Sequence, residues 1–262
     1  MKIIVCVKQV PDTNEVRIDP VRGTLIREGV PSILNPDDAH ALEAALALRE
    51  AYRLDCIVAV ISMGPPQATY MLRECLAMGA DQAYLLSSRA FGGADTCATS
   101  ATLAAGIRKI GEYDLILTGQ QAIDGDTAQV GPQLAYRLNL PVITYAQALS
   151  WYDGRVSVQR QMEEGYEGLQ TDMPCLITCV KELNHPRYMT IKGIVEAYEK
   201  DIVVWNEEDV GLEVNQCGLK ASPTQVLRSF APPGKQPGEM LEGSPREVSQ
   251  LLVGKLKGMH LL

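Results

Sequence analysis

Up to about residue 145, short β-branched runs alternate with helical stretches, and this alternation is the pattern of parallel strands joined by crossover helices. It predicts strands at 2–8, 56–62, 83–87, 114–118 and 142–145. Asn35-Pro36-Asp37-Asp38 supplies an N-cap, a first-turn proline and two acids at a positive helix end, with Ala41, Leu42, Ala45 and Leu46 marking the buried face that follows. A second helix is expected between Gly64-Pro65-Pro66 and Gly79, with Leu72, Cys75 and Leu76 inward. A third begins near Asp95-Thr96, and a fourth opens at Asp126-Thr127 and runs to Leu138. Each helix follows the carboxyl end of a strand, where open parallel sheets bind their ligands.

After residue 145 the pattern changes. Asp153-Gly154 reads as a tight turn between 148–151 and 156–158, so antiparallel strands should extend the same sheet. Residues 184–200 read as a polar loop and a short helix. The stretch 206–243 is rich in glycine, proline and isolated charges and reads as an arm lying on another surface. Ser244-Pro245-Arg246-Glu247, followed by Val248, Leu251, Leu252 and Leu256, is a capping box opening an amphipathic helix. Two parts are expected: an α/β domain over 1–205 and an arm with its helix over 206–262.

The 262 residues, 46% of them hydrophobic, can bury a full core. A net charge of −8 without a basic cluster argues against nucleic acid as a partner. The N-terminal apolar run is too short for a signal segment and no stretch approaches a bilayer span, so a soluble cytoplasmic protein without direct membrane insertion is expected. Seven scattered cysteines fit a reducing compartment. Cys175 and Cys179, if in a strand, stand roughly 13 Å apart and cannot share one metal. The three histidines have no ligand-like spacing, and no metal site is expected.

There is no Walker A loop, no GxGxxG after the first strand and no GxSxG elbow. What remains is Gly119-Gln120-Gln121-Ala122-Ile123-Asp124-Gly125-Asp126-Thr127-Ala128-Gln129-Val130-Gly131, a loop from a strand end into a helix. Its small residues let the backbone approach a pyrophosphate, and unpaired N–H groups at the helix start can bind the oxygens. Taken alone, a Gly-Asp-Thr turn before a helix is more often a simple capped turn.

This run resembles the nucleotide-binding motif of electron-transfer flavoprotein β subunits. Val5-Cys6-Val7-Lys8, Asn35-Pro36, Ser62-Met63-Gly64-Pro65, Met78-Gly79-Ala80-Asp81 and Leu183-Asn184-His185-Pro186-Arg187-Tyr188 fall at matching places and in the family's order. The resemblance implies a doubly wound, mostly parallel sheet with an antiparallel extension and a C-terminal arm ending in a helix. It implies a larger α-subunit partner, with AMP bound in ordinary members and a second FAD in electron-bifurcating members. The nucleotide would lie among Cys6, Asn35, Pro36, Asp37, Asp38, Ser62, Met63, Gly64 and the loop from Gly119 through Val130. Cys6 and Met63 read equally well as core residues.

Two features resemble the bifurcating subgroup. One is Phe91-Gly92-Gly93-Ala94-Asp95-Thr96-Cys97-Ala98-Thr99-Ser100, where Gly93, Asp95, Thr96 and Thr99 would line the extra flavin. Asp95 is also a good N-cap, the plainer reading of that stretch. The other is the Asp-Gly-Asp-Thr-Ala form of the loop, since ordinary members carry bulkier, more polar residues at several of these places. The subgroup's activity would be hydride transfer from NADH to a β-bound FAD. One electron would then pass to ferredoxin or flavodoxin and the other, through the α-bound FAD, to an acyl-CoA-type dehydrogenase. The flavin would carry the chemistry, with no catalytic side chain. Ile191 falls at the place of the apolar anchor for the dehydrogenase, although a lone isoleucine in a polar loop can equally fold back into the core. A nucleotide hydrolase of similar fold would need a phosphate lysine and metal carboxylates that this sequence does not offer.

Overall fold

A computed structural model describes residues 1–12, 31–227 and 238–262. Residues 228–237 of the expected arm lie outside that description. The elements, in chain order, are β1 (Lys2–Cys6), β2 (Gln9–Pro11), β3 (Ser32–Leu34), α1 (Pro36–Ala51), β4 (Ile57–Met63), α2 (Ala68–Met78), β5 (Gln82–Leu86), α3 (Thr96–Ile110), β6 (Leu115–Gly119) and α4 (Val130–Leu138). They continue with β7 (Val142–Tyr152), β8 (Arg155–Met162), β9 (Gly165–Asp172), β10 (Cys175–Cys179), α5 (Ile191–Glu199), β11 (Ile202–Trp205), α6 (Gly218–Ala221) and α7 (Pro245–Gly258).

Nine strands form one sheet in the order β11-β5-β4-β1-β6-β10-β7-β8-β9. Pairing is parallel from β11 to β7, and β8 and β9 add the antiparallel extension. The chain steps outward from β1 to β4 and β5, then returns to lay β6 on the other side of β1. The crevice beyond the carboxyl ends of β1 and β6 is therefore the switch point where doubly wound sheets hold ligands.

Alternation along each strand feeds two cores. Ile3 and Val5 of β1 join Leu42, Leu46, Leu72 and Leu76 of α1 and α2 on one face. Ile4 and Cys6 join Leu103, Ile107 and Leu134 of α3 and α4 on the other. The inward residues expected on α1 and α2 are fully or almost fully buried, as the spacing predicted. The 153–154 turn joins β7 to β8 as expected, and Cys175 and Cys179 lie in a strand. That strand, β10, was not expected to insert between β6 and β7, and β11 adds an edge beside β5 that the sequence did not announce.

The fourth helix differs from expectation. It starts at Val130, not at Asp126, because Asp126 (φ 47°) and Ala128 (φ 52°) take left-handed backbone conformations that a right-handed helix cannot include.

The described residues up to Leu227 belong to the first compact unit, with Cys217 buried in the second core. A separate unit carries α7. Its capping box is formed: Ser244 N–H donates to Glu247 Oε2 (2.8 Å) and Glu247 N–H to Ser244 Oγ (3.4 Å). No residue of α7 is buried. Among the described residues no helix is long and apolar enough to cross a membrane.

Candidate nucleotide-binding site

The parallel register places Cys6 of β1 beside Ile61 of β4 and Thr118 of β6, so Cys6, Met63 and Gly119 all sit at neighbouring carboxyl ends. Burial pushes the Cys6 thiol up, with the Asp38 charge adding to the effect, so it is a neutral wall and no nucleophile. Ser62 is fully buried, and its hydroxyl has no hydrogen-bond partner among the described residues. Gly64 N–H donates to Leu86 O (3.0 Å), which carries the pairing with β5 one residue past the end of β4.

The start of α1 grips the loop that leaves β6. Asn35 occupies the N-cap position, but its side chain does not cap the helix. Its Nδ2 donates to Gln121 O (2.8 Å) and its Oδ1 accepts from Ile123 N–H (3.1 Å). Asp37 accepts from Gln121 N–H (3.4 Å). Asp38, nearly buried, accepts from Lys8 N–H (2.8 Å) and Gly119 N–H (3.0 Å), and so ties the ends of β1 and β6 together. Its burial pushes the carboxyl up to about 7, against the pull of its hydrogen bonds from Asn35, Lys8 and Gly119. Pro36 stands in the first turn, where its missing N–H costs nothing.

Beyond this grip the loop is open. Gln120 N–H donates to Cys179 O (2.8 Å), Gly125 and Asp126 N–H return to Ala122 O, and Gln121 Nε2 reaches Asp126 Oδ1 (3.0 Å). Lys8 Nζ pairs with Asp124 Oδ1 at 2.6 Å, pinning the loop's outer edge. A Cβ on Gly125 would meet nothing within 4 Å. The N–H groups of Thr127, Ala128, Gln129 and Val130 find no acceptor among the described residues, and α4 has no side-chain cap. Left-handed Ala128 followed by right-handed Gln129 (φ −108°) turns successive N–H groups toward one concavity, the geometry of an anion-binding nest. A nest running into a helix N-terminus suits a phosphate or pyrophosphate.

The structure brings the 93–99 stretch to the same edge. Thr96 Oγ1 donates to Gln129 Oε1 (3.1 Å) and accepts from Gln133 Nε2 (3.2 Å). Asp95 caps α3 through Ala98 N–H (2.9 Å), and its other oxygen accepts from Thr224 Oγ1 (2.8 Å). The side chain of Thr99 makes no hydrogen bond among the described residues. Gly93 has φ 71°, and a Cβ there would come within 3.2 Å of Leu219 Cβ, so the space beside it is already lined by α6. Sequence reasoning missed the seam beneath. Gln133 accepts from Ser100 Oγ (3.3 Å), and Arg137 Nε donates to the same hydroxyl (2.9 Å). The signal was present as four-residue spacing, Gln129-Gln133-Arg137 facing Thr96-Ser100.

Ile191 lies apart from this cluster, at the first turn of α5, and is 85% exposed; it does not fold back into the core.

The electron transfer flavoprotein domain model matches residues 22–210. The chain is 63% identical to the caffeyl-CoA reductase-Etf complex subunit CarD of Acetobacterium woodii over 263 residues, all of both chains. It is 51% identical to the electron transfer flavoprotein subunit beta of Clostridium acetobutylicum over 262 residues, again all of both chains. With the acryloyl-CoA reductase electron transfer subunit gamma of Anaerotignum propionicum the identity is 46% over 270 residues and the full length of each. A doubly wound sheet with an open nest at its switch point and similarity of this extent lead to one assignment: the chain belongs to the electron-transfer flavoprotein family, among its β subunits.

Proposed function

We propose that this β subunit holds an FAD and, with an α subunit, takes hydride from NADH and divides the electrons. One goes to ferredoxin or flavodoxin, the other through the α-bound FAD to an acyl-CoA-type dehydrogenase. The observation that carries the reading is the open nest at Thr127 to Val130 beside the Thr96–Gln129 contact, which joins a pyrophosphate cradle to a second wall. Full-length similarity to subunits named for caffeyl-CoA and acryloyl-CoA reductase complexes supports it.

When bound, the flavin supplies the hydride acceptor and the outlets for single electrons. The chain's own residues bind and orient it. The nest N–H groups would take the pyrophosphate, each charge-assisted hydrogen bond contributing about 1.5–3 kcal/mol. Asn35, Asp37 and Asp38 act one step back, holding the loop that presents those groups. The half-buried Thr99 side chain, which makes no hydrogen bond among the described residues, is a polar group left to meet a ligand.

One observation favours the second reading, a structural AMP in place of FAD: Leu219 lines the space beside Gly93. Replacing Ala128 with Asn and Val130 with Thr, the residues expected of ordinary members, separates the two. Asn enters the left-handed region more easily than Ala, so the fold should be kept or slightly stabilised. The expected result is a heterodimer of unchanged melting temperature that releases AMP and little β-site FAD. Undiminished FAD in the double variant would show that these positions do not select the nucleotide.

The separate unit bearing α7 is proposed as the contact with the α subunit, because Leu251, Leu252 and Val253 are exposed on an otherwise well-capped helix. Deletion of 240–262 should abolish co-purification of the α subunit while leaving the far-ultraviolet circular dichroism of the remaining chain unchanged in shape. Unchanged co-purification would reject the contact.

A further inference from the structure

The segment 184–190 has no buried residue, yet it leads directly into α5 and its exposed apolar cluster. Tyr188 is 95% exposed, Ile191 85%, Val195 59% and Tyr198 75%. Something other than hydrophobic burial must place it. The guanidinium of Arg187 lies between two carboxylates of α1, seven residues and so two turns apart on one face. Nε and Nη2 donate to Glu43 at 2.8 and 2.9 Å, and Nη1 and Nη2 donate to Glu50 at 2.6 and 3.1 Å. The Arg187 N–H also donates to Glu43 Oε2 (3.1 Å). Glu43 is nearly buried, so its side of the fork is screened from water, and the hydrogen bond from Arg187 holds the Glu50 carboxyl below its ordinary range. Asn184 adds a second tie: Nδ2 donates to His40 O (2.9 Å), and Oδ1 lies 3.1 Å from His40 Nδ1.

Helix α5 is held independently. Gly193 packs so closely on the Ala77 carbonyl that a Cβ would collide with it, and Arg73 donates to Ala197 O and, at 2.6 Å, to Lys200 O. Loss of Arg187 would therefore free the segment before the helix without removing the helix.

We infer that Arg187 is a positioning residue for docking of the acyl-CoA-type dehydrogenase, fixing the 184–190 segment on α1 and with it the register of the Tyr188–Ile191 edge of the apolar cluster. The inference rests on the reading of Ile191 as a docking residue. Lysine, a single ammonium with three donors and no planar fork, cannot reproduce the four side-chain hydrogen bonds that Arg187 makes to the two carboxylates.

The test uses the intact co-expressed heterodimer and, as probe, the caffeyl-CoA reductase of Acetobacterium woodii, whose Etf complex contains the 63% identical relative. Dissociation constants are measured for native, Arg187→Lys, Arg187→Ala and Ile191→Asp heterodimers, alongside flavin content and hydrogen exchange. Both Arg187 variants should bind on the order of 10-fold more weakly, exchange the amides of 184–190 faster, and keep native flavin content. Native affinity in the Arg187 variants with weakened binding by Ile191→Asp overturns the inference and leaves the docking reading standing. Native affinity in all three overturns both. Weakened binding accompanied by flavin loss, or with unchanged exchange at 184–190, also overturns the positioning role.

Discussion

Gly119→Ala should cost the protein on the order of 3–5 kcal/mol and empty the nucleotide site, from overpacking together with lost buried hydrogen bonds. A Cβ on Gly119 would collide with Asp38 Oδ1 and stand 2.7 Å from the backbone carbon of Asp37. Neither neighbour can give way freely. Asp38 is held by Lys8 and Gly119 N–H groups, and Asp37 is in the first turn of a helix whose body is buried. If Asp38 moves, the buried Gly119 N–H and the partly buried Lys8 N–H lose their acceptor, and a buried unsatisfied group costs about 1–3 kcal/mol. Such a loss is a large part of a domain's ordinary 5–15 kcal/mol. Urea unfolding of the heterodimer, read together with nucleotide release, measures it. A change below about 0.5 kcal/mol, the range typical of neutral surface substitutions, would mean that the crevice yields and that Gly119 is not required there.

The second large effect is expected at Asn35. Asn35→Ala removes the acceptor of Ile123 N–H and the donor to Gln121 O, and roughly 2–4 kcal/mol of stability should go with them. The loss falls on the loop, not on the helix, because the Asn35 side chain does not cap α1. Loop residues 121–130 should thus gain hydrogen exchange, and nucleotide retention should fall, while the α1 amides keep their protection. Asn35→Asp keeps the acceptor for Ile123 but faces Gln121 O with a carboxylate, so it should do little better. If the α1 amides lose protection first, Asn35 serves the helix and not the loop.

The fold was legible where pattern and burial agree. The local pattern found α1 through α3 and the inward leucines of α1 and α2, and Asp153-Gly154 found the hairpin, since both signals are local. The placing of β10 and β11 in the sheet was not legible. Whether β10 slots between β6 and β7, and β11 beside β5, is decided by pairing across the chain, and a buried five-residue run such as Cys175–Cys179 does not name its neighbours. The start of α4 was misread for a local reason. Asp126-Thr127 looks like a cap, but left-handed Asp126 and Ala128 delay the helix to Val130. The delay exposes more N–H groups than a capped helix would, so the candidate site gains from it. The residue types at the site were readable; their division of labour was not. Asn35 and Asp38 carry the polar groups one expects on a ligand, yet their atoms are spent on the backbone of the loop and of the β1 and β6 ends. Arg187 gave only a polar motif in sequence, because its two carboxylates lie more than a hundred residues away.

The most direct test of the β-bound flavin is an anaerobic NADH titration of the co-expressed heterodimer, followed by visible absorbance, with the nucleotides extracted and counted. The account predicts two FAD per heterodimer and no AMP, with NADH bleaching the β-site flavin and the signal lost in Asn35→Ala. One FAD and one AMP, with no bleaching by NADH, would contradict it.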